Sequence, residues 1–457
     1  MLRNALIVIA SLLLSGCANF YTKTLIFNQK FEAGDYEAAR KYLESNKKIQ
    51  RTNNKVLYDL NYATVSHFLG EYDTSVEYFK AADDYFEYYT NDVGYEALAL
   101  ITNAKVKPYE PEYFERVMLH FYQALNFIFL SDYESAMVEC RRMNLELNNL
   151  SDKYKEHTGN RYSQDAFGHY IMGILYETTG DHNNAFIAYR NALEIYESDY
   201  LSMFKTPVPT YLKTAVIRSA YNTGFTTEAM EYEEKYNINY SESKPNESYG
   251  RLIAFVFDGF SPIKTETSIN FTKVGNAAAM SFASDNGALI IPIPIINCTP
   301  NEKNALTNTT SIRMTLPQYT SRTTACYSSS RKTLTVNGST YSTALVEDIE
   351  NIAPQSLNDR FWLELGSSIL RLATKQFLNQ AAKNQNEYLG LLVTLTNTIT
   401  EQADTRHWQS LPAGIRFVEV YLPEGEHVVS YNDCTGTQQV DIAIETGRTS
   451  FVTFRGY

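Results

Sequence analysis

Gly180-Asp181-His182-Asn183-Asn184-Ala185 decides the fold of the first half of this chain. One apolar stretch runs up to it through Ile171, Ile174 and Tyr176, and a second leaves it through Phe186, Tyr189 and Leu193. Glycine ends a helix in a left-handed conformation that other residues adopt only at an energetic cost. The small residue five positions later lets the second helix approach the first closely. The same pattern returns at Gly34-Asp35-Tyr36-Glu37-Ala38-Ala39, Gly70-Glu71-Tyr72-Asp73-Thr74-Ser75, Ser131-Asp132-Tyr133-Glu134-Ser135-Ala136 and Gly224-Phe225-Thr226-Thr227-Glu228-Ala229. Each copy opens on Gly or Ser, usually continues with an acidic and an aromatic residue, and lies between two apolar helical stretches. The unit is a helix–turn–helix, repeated.

These units follow the tetratricopeptide pattern. The copy at 166–199 carries Gly173, Tyr176, Gly180, Ala185, Tyr189 and Ala192 at the expected offsets. The second offers Ala63, Gly70, Tyr72, Ser75, Phe79 and Ala82, and the third Ala124, Phe127, Ser131, Tyr133, Ala136 and Cys140. The first and fifth are degenerate, as terminal repeats tend to be. The small residues are spaced by 36, 61, 49 and 44 positions, which predicts insertions near 90–112 and 145–163. The repeats stop near Tyr236, and the polar, turn-rich 237–250 reads as a linker.

Beyond it the period changes. Arg251–Phe257 is a buried strand. Leu289–Ile296 is a second, confined to an edge or extended loop by Pro292 and Pro294, which cannot donate to a ladder. Lys332–Val336 and Tyr341–Val346 flank Asn337-Gly338, a hairpin signal. Two helices are expected, at 356–383 with the stripe Leu357, Phe361, Leu365, Ile369 and Leu372, and at 386–402. Strands follow at Ile415–Leu422, His427–Tyr431, Gln438–Ile444 and Thr449–Phe454. The fold class is therefore α+β in two domains. An all-α solenoid occupies 17–236, and a mostly antiparallel β module with a helical pair occupies 251–457.

Composition agrees with folded cores: 44% of the 457 residues are apolar. A net charge of −12 argues against nucleic acid, whose phosphates want a basic face, and against broad attachment to anionic headgroups. Most of the 35 tyrosines fall before residue 250, where they suit the packing of short helix pairs. Arg3, the apolar run Ala5–Leu14, and Leu14-Ser15-Gly16-Cys17 read as a secretory signal ending at a cysteine, residues 1–16 being removed. The run is too short to span a bilayer. Of the five cysteines, Cys17 closes the signal segment and Cys140 is assigned to a helical core. An oxidising compartment permits one disulfide among Cys298, Cys326 and Cys434, with Cys298–Cys326 the first expectation. No CxxC or Cys/His cluster points to zinc, and no cofactor motif occurs.

Three polar clusters are candidate sites. Asp404-Thr405-Arg406-His407-Trp408 is the densest. It reads chiefly as a structural corner in which Arg406 pairs with Asp404 and Trp408 plugs the core. The competing reading is a binding or hydrolytic loop in which Asp404 and His407 exchange protons. Asp258-Gly259-Phe260-Ser261-Pro262-Ile263-Lys264 is an exit turn, or else a loop whose Gly259, Pro262 and Lys264 meet a ligand. Arg141 and Arg142 point about 100° apart on one helix. One of them could face the solenoid groove and hold an acidic peptide.

The lipobox, Val138-Glu139-Cys140-Arg141-Arg142, Gly259-Phe260-Ser261-Pro262-Ile263-Lys264 and Ala403–Pro412 resemble those of a poorly characterised family of tetratricopeptide-containing lipoproteins of the Gram-negative envelope. The resemblance implies acylation of Cys17. Ala18, which is not Asp, implies export to the outer membrane, facing the periplasm. It implies no enzymatic activity and no cofactor. Family members often accompany small outer-membrane lipoproteins, including relatives of penicillin-binding-protein activators. The expected function is an interaction scaffold for envelope proteins or peptides bound in the helical groove. The alternatives are a regulator of peptidoglycan synthesis and an envelope hydrolase.

Overall fold

The computed structural model describes residues 20–47, 49–50, 52–89, 104–158, 165–240, 246, 248–274, 280–284, 290–293, 311–322, 326–328, 332–358 and 403–456. A short helix, α1 (Phe20–Lys23), leads, among the described residues, into five helix pairs. They are α2 (Leu25–Glu32) with α3 (Tyr36–Ser45), α4 (Lys55–Phe68) with α5 (Tyr72–Tyr89), α6 (Tyr113–Phe129) with α7 (Tyr133–Thr158), α8 (Ala166–Thr178) with α9 (His182–Ile195), and α10 (Thr210–Asn222) with α11 (Thr226–Tyr236).

The turn residues do what the spacing requires. Gly34, Gly70, Ser131, Gly180 and Gly224 all have φ between 61° and 83°. In each turn this residue's amide bonds back three residues and the next amide bonds back five, as in Gly180 to Glu177 and Asp181 to Tyr176. Asp35, Asp132 and Asp181 then cap the following helices through their carboxylates. The small residues Ala39, Ser75, Ala136, Ala185 and Ala229 are fully buried. Ser75 also joins three helices: its hydroxyl donates to the Ala63 carbonyl at 2.8 Å and accepts from Asn126. The expected insertion after 145 is in part a longer helix, since α7 continues to Thr158. Residues 196–204 form a π-helical turn between α9 and α10.

Among the described residues, twelve strands form three four-stranded sheets, ordered β12-β1-β9-β8, β11-β10-β6-β7 and β4-β3-β2-β5. They are β1 (Tyr249–Asp258), β2 (Ile263–Val274), β3 (Met280–Ser284), β4 (Ile290–Ile293), β5 (Ser311–Thr320), β6 (Thr333–Val336), β7 (Ser339–Ser342), β8 (Ala344–Glu347), β9 (Gly414–Pro423), β10 (Gly425–Asn432), β11 (Thr437–Ile444) and β12 (Thr449–Arg455). The hairpin turns at Asn337-Gly338, but the expected second strand divides. Ser339–Ser342 stays with β6, whereas Ala344–Glu347 crosses to β9. Pro292 sits on β4, an edge strand. The long β2–β5 ribbon, absent from the sequence reading, carries polar residues at alternate positions. Among the described pairs only β1–β12 is parallel. Residues 349–358 are helical; the rest of the two expected helices lies outside the described residues.

The all-apolar stretch Leu252–Phe257 explains where the core sits. β1 is buried on both faces. Ile253, Phe255 and Phe257 pack against the helices, with Phe257 stacked on Tyr122 at 5.0 Å. Leu252, Ala254 and Val256 pack against Leu334, Val336, Val429 and Tyr431 of the second sheet. The molecule is thus layered as helices, sheet and sheet. The sheet lies against the first helices of the pairs: Phe255 meets Phe121 of α6, and Phe417 meets Tyr170 of α8 and Tyr211 of α10.

Candidate functional site

The Asp404–Leu411 corner is a junction between the helical and β regions. Asp404 takes a bidentate grip from Arg406, with Nη2 2.6 Å from Oδ2 and Nε 2.9 Å from Oδ1. The rest of that guanidinium donates to the carbonyls of Asn53 and Lys107. Burial pushes the Asp404 carboxyl up, but the guanidinium outweighs it and holds the group at about 2. His407 is held neutral by burial and by nearby Arg322, its pKa lowered to about 3. Trp408 is fully buried, with its Nε1 donating to Thr64 and Ser410 and its ring 5.6 Å from Phe79. The hydrolytic reading of this loop therefore fails. Its carboxylate is already neutralised, its imidazole is buried without charge, and its tryptophan packs against helices.

Lys264 is likewise committed: it is buried and paired with Glu112 at the start of α6. Pro262 is buried beside it. Gly259 has φ +61°, and a Cβ there would lie 2.9 Å from the Tyr327 ring. The segment is a tight exit turn that pins β2 to the helices, which corrects the ligand-loop reading.

Arg142 reaches Asp83 on α5 at 2.9 Å and comes within 3.8 Å of Glu139 and Glu87. It closes the seam between two second helices, while Arg141 is exposed. Neither lies on the first-helix face, and the chain's own sheet covers that face. The expected groove site for an acidic peptide at Arg141 or Arg142 is corrected accordingly.

The expected disulfide is corrected too. Cys326 is bonded to Cys434 with Cα atoms 5.7 Å apart, because the chain leaving β10 returns beside the 326–328 turn. Cys298 and Cys17 lie outside the described residues. Cys140 is a buried free thiol, as its helical position implied.

Sequence reasoning missed a buried ion network between the helices and the first sheet. Arg218 of α10 contacts Glu177 of α8 at 2.7 Å and Glu419 of β9 at 2.9 Å. Arg251 of β1 contacts the same two carboxylates. Burial raises Glu177, but the two guanidiniums outweigh it and hold its pKa low. A signal existed: Arg251 opens an otherwise apolar strand, and a buried charge requires a partner.

A cavity of about 1030 Å³ opens beside α1, lined in part by Phe20, Lys23, Lys47, Ile49, Lys105 and Arg406. Among the described residues no group of His, Cys, Asp and Glu is arranged to hold a metal ion.

Residues 168–199 match the tetratricopeptide repeat family, so the chain contains at least one such repeat. Solved structures with similarity include MamA at 16% identity, covering 48% of this chain and 96% of that one, TM-score 0.29. The apo form of RapI shows 17% identity over 54% of this chain and 61% of that one, TM-score 0.34. BtubC from P. vanneervenii shows 15% identity over 48% and 78%, TM-score 0.28. Likenesses this remote carry no argument about the present chain. No curated protein matches it.

Proposed function

We propose that this chain is a lipid-anchored scaffold for protein partners in the cell envelope, held at the outer membrane through Cys17 and facing the periplasm. Tetratricopeptide repeats present extended surfaces to proteins. One observation carries the scaffold reading: α7 leaves Val138 (49% exposed) and Leu145 (56% exposed) on either side of exposed Arg141. The spacing 138, 141, 145 puts all three on one helix face. The inner face is occupied intramolecularly, so a partner would dock outside, where two apolar groups flank an unburied guanidinium. Support for the anchor is the Leu14-Ser15-Gly16-Cys17 sequence.

A photo-crosslinking residue at 138 or 145 in intact cells should yield a discrete protein adduct that Arg141→Glu abolishes. Absence of any adduct at both positions would remove α7 as the partner surface. For the anchor, Cys17→Ala should release a soluble form without acyl label, and persistence of the label would place the cut elsewhere.

A further inference from the structure

The cavity beside α1 differs from the rest of the surface in charge. The chain carries −12 overall, yet Lys23, Lys47, Lys105 and Arg406 line this space, and among the described residues no Asp or Glu lines it. Arg406 is immobile, its guanidinium bonded to Asp404 and to two carbonyls from different parts of the chain. Lys23 and Lys47 are exposed, and Lys105 is half-buried. Burial presses the Lys105 pKa down; Glu266 and Asp404 oppose that, and Lys23 and Arg406 add to it more weakly. An anion entering this space would face the ammonium groups of Lys23, Lys47 and Lys105. Phe20 and Ile49 form an apolar wall beside them.

Position narrows the choice of anion. Phe20 lies three residues from Cys17, and an extended chain spans at most about 3.6 Å per residue, so the cavity sits roughly 10 Å of chain from the anchoring residue. On the anchored reading, a cationic pocket with an apolar wall at that distance from Cys17 lies within reach of glycerophosphate headgroups. We propose that this cavity binds a phosphate-bearing group, supplied by the headgroup of an anionic membrane phospholipid. The choice of lipid as the source rests on the anchored reading above, whereas the phosphate chemistry does not. Because the net charge of −12 opposes attachment by overall field, such binding must come from this pocket.

The test uses the full mature chain carrying Cys17→Ala, so that acylation does not contribute. Its co-sedimentation is measured with vesicles of phosphatidylglycerol mixed with phosphatidylethanolamine, and with phosphatidylcholine alone. Binding to the first and not the second is expected. Lys23→Glu and Lys105→Glu should each weaken it at least about fivefold. Lys235→Glu, exposed on α11 at the other end of the stack, should not, and circular dichroism should show all three variants folded. Glycerol 3-phosphate and inorganic phosphate, titrated calorimetrically, distinguish the sources. If they bind in a Lys105-dependent way and vesicles do not, the phosphate site stands and its lipid source is overturned. If neither vesicles nor soluble phosphates bind, or if Lys23→Glu and Lys105→Glu leave binding unchanged, the proposal is overturned. Acyl labelling of wild-type Cys17 is read separately, so failure of the anchor and failure of the pocket give different results.

Discussion

Glu115 receives three hydrogen bonds, from the Tyr109 hydroxyl, the Glu112 amide and the Trp408 amide, and it is fully buried. Burial raises its pKa from 4.5 to about 7, which those donors only partly oppose. A carboxyl raised in the folded state gives a contribution that is fully present below its unfolded value and is lost as pH rises through the folded value. The fold should therefore lose about 3 kcal/mol from this group between roughly pH 4 and pH 8. Urea unfolding across that range should show the slope in the native chain and a flatter one in Glu115→Gln; equal slopes would assign the titration to another group. Asp404 has the opposite sign. Its lowered pKa gives stability present above 3.8 and lost as pH falls toward about 2. Trp408→Ala removes a ring that touches Phe79 and Tyr122, and should cost about 3–5 kcal/mol in the same assay. The density of Asp404, Arg406 and Trp408 was visible in the sequence and read there as a corner. Which helices it docks against was not, because Thr64 and Glu115 lie some 300 positions away in the chain.

At the scale of elements, the five turns give a paired test. Ser131 occupies a left-handed position with φ 61° that glycine holds in the other four. Ser131→Gly should stabilise the α6–α7 pair by about 0.5–1 kcal/mol, and Gly180→Ala should destabilise α8–α9 by about 1 kcal/mol, both read from thermal midpoints. If Ser131→Gly destabilises, side-chain bonding at that turn outweighs its backbone strain. Turns and close approaches were legible because each is fixed by residues a few positions apart. The β2–β5 ribbon was not, since Thr265, Thr267 and Lys273 share a face with Ile263, Ile269 and Phe271, and its partner strand begins beyond a long interval. The division of the second hairpin strand between two sheets was likewise hidden, for Thr343 marks the crossing with no Gly or Pro.

At the scale of the molecule, the helical stack and the sheets fold as mutual cores. Phe121, Tyr122 and Tyr170 would be exposed without the first sheet, and Phe255, Phe257 and Phe417 without the helices. Residues 20–236 expressed alone should aggregate or bind hydrophobic dye, whereas the full chain should unfold in one transition; a soluble, cooperatively folding helical fragment would show that the stack is self-sufficient. Arg218→Met leaves Glu177 and Glu419 facing each other with Arg251 alone between them, and should lower stability by about 3–5 kcal/mol in chemical denaturation. A change below about 1 kcal/mol would mean that Arg251 suffices for both carboxylates. The sequence by itself determined the helical pairs, their left-handed turns, the buried small residues and the strands that run as unbroken apolar stretches, since local periodicity and backbone sterics act over a few residues. Only the tertiary structure decided that the first sheet fills the inner face of the stack, that Cys326 bonds Cys434, and that four cations meet beside α1. Each of these brings together residues far apart in the chain, and burial and charge pairing across such distances leave no periodic trace in the sequence.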